Sequence, residues 1–158
     1  MKERLPYQNY AKDALRLMLQ SEAYLNHHSG LEPLLQELIK MRVSQLNGCA
    51  YCLDMHSKDA RAAGETEQRL YGLNAWREAP YYSDRERAAL AWAEALTNIQ
   101  QGHVPDSVFE EARKYFSEEE LVNLTIPVNQ INAWNRIAIG FRAEAGTYQP
   151  AQHQKAAS

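Results

Sequence analysis

Apolar residues along this chain recur at intervals of three and four, the spacing of one helical face, and show no convincing strand alternation. From 13 to 26 the pattern carries Leu15, Leu17, Met18, Leu19 and Leu25, and it breaks at Gly30 and Pro33. "LEPLLQELIKMRVSQLNG" then sets Leu31, Leu34, Leu38 and Met41 on one arc, with Gly48 placed as its C-cap. A further helix begins at the cysteines and ends at Gly64, and "ETEQRLYGLNAW" reads as a short one. "SDRERAALAWAEALTNIQ" opens on a capping box, Ser83 with Glu86 three residues on. "PDSVFEEARKYF" starts another helix. "SEEELVNLTIPVNQINAWNRIAIGFR" is a long final one, with Ser117 and Glu120 repeating the capping-box spacing and Pro127 placed to kink it.

The pattern predicts an all-α, single-domain bundle of about six to seven helices over residues 1–158, with its core at about 31–143 and a polar, frayed tail at 144–158. No internal repeat or low-complexity linker interrupts it. The final helix is apolar nearly all round, so it is expected to be deeply buried or held between subunits. Asn132 and Asn135 fall on its Leu121/Val128 side. Buried amides need partners, which helix–helix hydrogen bonds, an interface or an active-site wall would supply.

Composition narrows the function without naming it. Of 158 residues, 45% are apolar and 23% charged, ordinary for a globular domain large enough to bury a core. Seventeen basic against 20 acidic residues give −3, which argues against nucleic acid or an anionic membrane surface as partner. The first residues, "MKERLPYQNYAKDALRL", carry no apolar leader core, and no run of 18 apolar residues occurs, so the cytoplasm is the expected location. Two cysteines do not form a disulfide framework, and in a reducing compartment a close pair points to catalysis or metal binding.

Those two cysteines lie in "LNGCAYCLDMHSKDA". On a helix, Cys49, Cys52 and His56 fall within about 60° of arc, by the 3.6-residue repeat. Three chemistries are compatible with two sulfurs and an imidazole on one face. A structural zinc takes four ligands, and His27, His28, His103 and His153 have no helpful spacing to the centre. Free cysteines also pack as plain hydrophobes. A redox dithiol is the third: the reactive form is the thiolate, the first turn of a helix favours it, and His56 one turn on is placed to accept or relay a proton. A thioredoxin-like centre would need a preceding strand, and here a helix precedes it.

The stretch Glu37 to His56, "ELIKMRVSQLNGCAYCLDMH", resembles the signature of the alkylhydroperoxidase D-like proteins of the carboxymuconolactone decarboxylase superfamily. Support runs from about Leu31 through "GETEQRLYGLNAWRE" and "RERAALAWAEALT" to "VPD", and "INAWNR" near the end is also similar. The resemblance implies a peroxidase in which Cys52 attacks a hydroperoxide, Cys49 resolves the sulfenic acid into a disulfide, and His56 and Glu37 relay protons. It implies an organic hydroperoxide substrate, an external dithiol or thioredoxin-like reductant protein, no bound cofactor, no metal, and a homo-oligomer, trimeric or hexameric. The chain departs from the family pattern at Tyr51, where a second histidine stands in the best-studied members. Phenols titrate near pH 10, so Tyr51 is a poor base.

Two points set the residues against the resemblance. Helix-dipole logic makes Cys49 the more acidic thiol, whereas proximity to His56 favours Cys52, the choice the resemblance implies. Periodicity puts Glu37 at the edge of the Leu34/Met41 arc, where glutamates are usually solvated, and burial beside the thiols would raise its pKa. An oligomeric redox sensor without catalysis is the alternative from another class. A lactone decarboxylase is a further one, disfavoured because that branch lacks the cysteine pair.

Overall fold

The computed structural model describes residues 2–150; the last part of the predicted tail, His153 included, lies outside them. Among the described residues there are seven α-helices and no strand. They are α1 (Lys12–His28), α2 (Pro33–Asn47), α3 (Ala50–Ala62), α4 (Glu67–Gly72), α5 (Asp84–Thr97), α6 (Asp106–Arg113) and α7 (Glu118–Phe141). Short 3₁₀ turns precede α1 at Tyr7–Asn9 and follow α4 at Leu73–Ala75.

The ends of these helices follow local chemistry. Ser83 and Ser117 both close full capping boxes, each hydroxyl accepting from the backbone N–H of the glutamate three residues on, whose carboxylate accepts from the serine's own N–H. Pro33 opens α2, where a missing N–H costs nothing. Pro127 sits inside a helix that runs unbroken from Glu118 to Phe141.

α2 is the centre of the fold, packed against α3, α5 and α7. The sequence arc of Leu34, Leu38 and Met41 understates its burial. Leu35, Leu38, Ile39, Met41 and Val43 are all buried, and so are Gln36, Lys40, Arg42 and Ser44. One core cluster joins Leu35, Ile39 and Val43 to Trp92 of α5, to Leu124, Val128 and Ile131 of α7, and to both cysteines. A second joins Leu38 and Met41 to Leu70, Leu73, Trp76 and Leu90. A helix enclosed on all sides must bury polar residues too, and each of these needs a partner.

The asparagines of α7 find theirs within the chain. Asn47 Nδ2 donates to Asn132 Oδ1 at 2.9 Å and to Asn135 Oδ1 at 2.8 Å. Asn132 Nδ2 donates to Thr97 Oγ1, and Asn135 Nδ2 to Ser44 Oγ, both at 3.1 Å. The amide-bearing face of α7 is therefore a helix–helix contact and is not available to a subunit interface. Nor is the beginning of the tail frayed. Gly146 N–H donates to Asp54 Oδ2 at 3.1 Å, Lys58 Nζ to the Tyr148 carbonyl at 2.9 Å, and Tyr148 Oη to Asp59 Oδ1 at 2.7 Å, which straps the segment onto α3.

Candidate active site

The corner between α2 and α3 is made by two residues. Gly48 takes a left-handed conformation at φ 68° and ψ 34°, which glycine adopts without a Cβ penalty. The next N–H, that of Cys49, returns to the Ser44 carbonyl at 3.0 Å, so α2 closes in a Schellman-type turn. Cys49 is thus outside the helix, extended at φ −85° and ψ 96°, and its sulfur caps α3 by accepting from Cys52 N–H at 3.4 Å. Cys52 and His56 share one face of α3, and Cys49 joins them as its cap. The two cysteines are bonded as a disulfide with Cα atoms 5.4 Å apart, inside the range such a bond spans. Both are about 1% exposed.

Glu37 reaches the same place from α2. Its Oε2 lies 2.9 Å from His56 Nδ1, and its Oε1 accepts from Lys40 Nζ at 3.0 Å. The side chain is only 15% exposed, so the edge position on the sequence arc does not mean a solvated carboxylate. Burial pushes this carboxyl upward, but the hydrogen bond and charge of His56 and the Lys40 ammonium outweigh it and hold the pKa at about 2. The expected upward shift is reversed because two cationic or donating partners came with the burial. Lys40 itself is disfavoured by burial, yet Glu37 and Glu22 together raise its pKa, so it is charged.

With Glu37 ionised, Nδ1 donates to it, and Nε2 is the ring nitrogen left for other partners. Nε2 is buried without a protein partner. His56 and Cys52 line one cavity of about 880 Å³, together with Tyr51, Met55, Trp134 and Tyr148 among others. Cys49 is not part of its lining. The structure therefore brings Cys52, Cys49, His56 and Glu37 together, and it adds Lys40, Glu22, Asp59 and Tyr148, which the sequence reading did not single out. The available signal was a lysine one turn after Glu37 within a buried helical arc.

Among the described residues, Glu37, His56 and Asp59 are the group of three donors close enough to share an ion, with ligand atoms within 4.8 Å of one another. Their oxygens are already engaged by Lys40, His56 and Tyr148. The Lys40 ammonium, 3.0 Å from Glu37 Oε1, already supplies this group with a cation.

An all-helical domain with a dithiol at a helix start and a Glu–His pair beside it defines a class, the alkylhydroperoxidase D-like proteins. The chain belongs to the carboxymuconolactone decarboxylase family, whose profile matches residues 12–95. It is 44% identical over 147 residues to the uncharacterized protein YdfG of Bacillus subtilis, covering 93% of this chain and 99% of that one. It superposes on the crystal structure of an Agrobacterium tumefaciens protein of unknown function, suggested to be the antioxidant defence protein AhpD. The TM-score is 0.88 at 42% identity, over 93% of this chain and 100% of that one. A Ralstonia eutropha peroxidase-related protein described as an AhpD core shares the fold at TM-score 0.74 and 20% identity, over 89% and 74% of the two chains.

Proposed function

We propose that the protein is a thiol-dependent peroxidase that reduces organic hydroperoxides through Cys52 and Cys49. The Cys52 thiolate attacks the outer peroxide oxygen and the O–O bond breaks, giving Cys52 sulfenic acid and, with one proton, the alcohol. The Cys49 thiol then displaces water from the sulfenic acid to form the disulfide. An external dithiol, such as that of a thioredoxin-like reductant protein, returns both sulfurs to thiols. His56 Nε2 takes the thiol proton and delivers it to the leaving oxygen, and Glu37 steadies the ring through Nδ1.

The observation that carries this reading is the unequal placement of the two sulfurs. Cys52 lines the cavity together with His56, whose Nε2 has no protein partner, whereas Cys49 is outside the lining as the cap of α3. That supports attack by Cys52 and resolution by Cys49, against the helix-dipole preference for Cys49. A cavity of this size lies within the usual span for small-molecule sites, and its apolar wall of Leu15, Leu19, Met55 and Trp134 suits a carbon-bearing peroxide.

The test is hydroperoxide consumption with a dithiol reductant, alongside mass spectrometry of the Cys49–Cys52 peptide after one equivalent of peroxide. Steady turnover and a peroxide-formed disulfide are expected. Unchanged activity in Cys52→Ser would overturn the assignment. Oxidation that alters oligomeric state without turnover would favour a redox sensor instead.

A further inference from the structure

We infer that Lys40 is a positioning residue of this site: from its buried seat on α2 it holds Glu37 in place, so that the carboxylate fixes the ring of His56, which lines the same cavity as Cys52. The inference rests on the peroxidase reading for its catalytic consequence, but not for the geometry. The two oxygens of Glu37 are divided, Oε1 to Lys40 at 3.0 Å and Oε2 to His56 at 2.9 Å. A carboxylate held at one oxygen has one way left to present the other. A lysine only 5% exposed carries a large desolvation cost, and a methionine would fill the same volume without it.

The charge arrangement gives Lys40 its reason. Three carboxylates surround it: Glu22 from α1 at 3.7 Å, Glu37 on its own helix, and Asp59 from α3. Glu22 is fixed in turn by Trp134 Nε1 of α7 at 3.2 Å, and Asp59 by the Tyr148 hydroxyl. Glu37 and Asp59 place a carboxylate oxygen within 4.8 Å of a His56 ring nitrogen, and Glu22, Lys40, Tyr51, Cys52 and Tyr148 line the same cavity. Lys40 is the cation at the centre of these acids. Without it the cluster would take up a proton. On Glu37, that proton would weaken the bond to Nδ1 and free the ring; on His56 Nε2, it would occupy the lone pair. Either way the base beside Cys52 is lost.

The experiment compares wild type, Lys40→Met, Lys40→Arg and Glu22→Gln. One measurement is the ¹⁵N spectrum of the His56 ring, which needs no turnover. The other is the single-turnover rate of Cys52 oxidation by cumene hydroperoxide as a function of pH. The wild type should carry its ring proton on Nδ1. Lys40→Met should show a mixed or doubly protonated ring, and an acid limb moved to higher pH by about one pH unit, because the acids around the ring then lack the ammonium that offsets them. Lys40→Arg should restore most of both. Glu22→Gln, which keeps Lys40, should leave both nearer the wild type, and if Lys40→Met does not fold, a Lys40→Gln variant takes its place. A folded charge-removing variant with an unaltered ring spectrum and pH profile would overturn the inference. A wild type inert to peroxide overturns the peroxidase reading alone, and the ring spectrum still decides the role of Lys40.

Discussion

Lys40 and Arg42 stand two residues apart on α2, on opposite sides of the helix, and both are buried. Arg42 donates from Nε to Glu94 at 2.6 Å and from Nη1 to Asn74 at 2.7 Å and Gln45 at 3.1 Å. Glu94 also accepts from Trp76 Nε1 at 2.8 Å and pairs with Arg77 at 2.7 Å. Burial raises the Glu94 carboxyl and these partners overcome it, so the net direction is downward. This network contributes no atom to the unpartnered buried polar groups, and none of its members lines the cavity. The Lys40 network differs in one respect. It ends at His56 Nε2, a buried atom without a partner, on a cavity wall shared with a cysteine. Two buried ion clusters on one helix thus separate by saturation: one is closed, and the other leaves a buried ring nitrogen without a partner.

The comparison breaks most sharply at the sulfur. Cys52→Ser should reduce hydroperoxide turnover to background while leaving the Arg42 side untouched, as measured by peroxide consumption and by thermal unfolding of the same sample. On the other face, Arg42→Met should lower unfolding free energy by about 1.5–3 kcal/mol, the scale of a lost charged hydrogen bond, because Glu94 keeps Arg77 and Trp76. Denaturant titration checks the loss, and the rate of Cys52 oxidation per folded molecule should not change.

Acid separates the clusters further. The folded-state pKa of Glu37, about 2, lies below its ordinary 4.5. Its stabilising contribution is therefore fully present above about pH 4.5 and is lost as pH falls through the folded value. The gap corresponds to about 3 kcal/mol at most. The stability difference between wild type and Glu37→Gln should be greatest at neutral pH and should close between about pH 4.5 and 2, followed by urea unfolding at each pH. A constant difference would mean that Glu37 is not held ionised. The smallest effect is expected at the strap. Tyr148→Phe removes one hydrogen bond to Asp59 and should cost about 1 kcal/mol, with faster amide exchange at Gly146 as the local sign.

Much of this was legible along the chain. Both capping boxes, the Gly48 turn and the shared face of Cys52 and His56 follow from local rules, because caps and helical spacing involve residues within one or two turns. Glu37 was legible through the family resemblance alone. Its periodicity pointed to solvent, and the direction of its pKa came out opposite to the expectation from burial. Glu22, Asp59 and Tyr148 were missed because each acts through a partner that is brought near only by packing, and Lys40, one turn from Glu37, was missed because its burial is set by the helices packed around α2. The asparagines of α7 were correctly read as needing partners, but Ser44, Asn47 and Thr97 lie far from them in sequence.

The sequence by itself determined the helices, their capping boxes and the shared face of Cys52 and His56, since those depend on propensities and spacings a short segment carries with it. Only the tertiary structure decided that α2 is enclosed on all sides, that Glu37 stays ionised inside, that Cys52 and not Cys49 meets the cavity, and that one buried cation closes a network while the other leaves it open. These outcomes depend on which charges and voids lie within a few ångströms, and the interior sets those distances between residues that the chain keeps far apart.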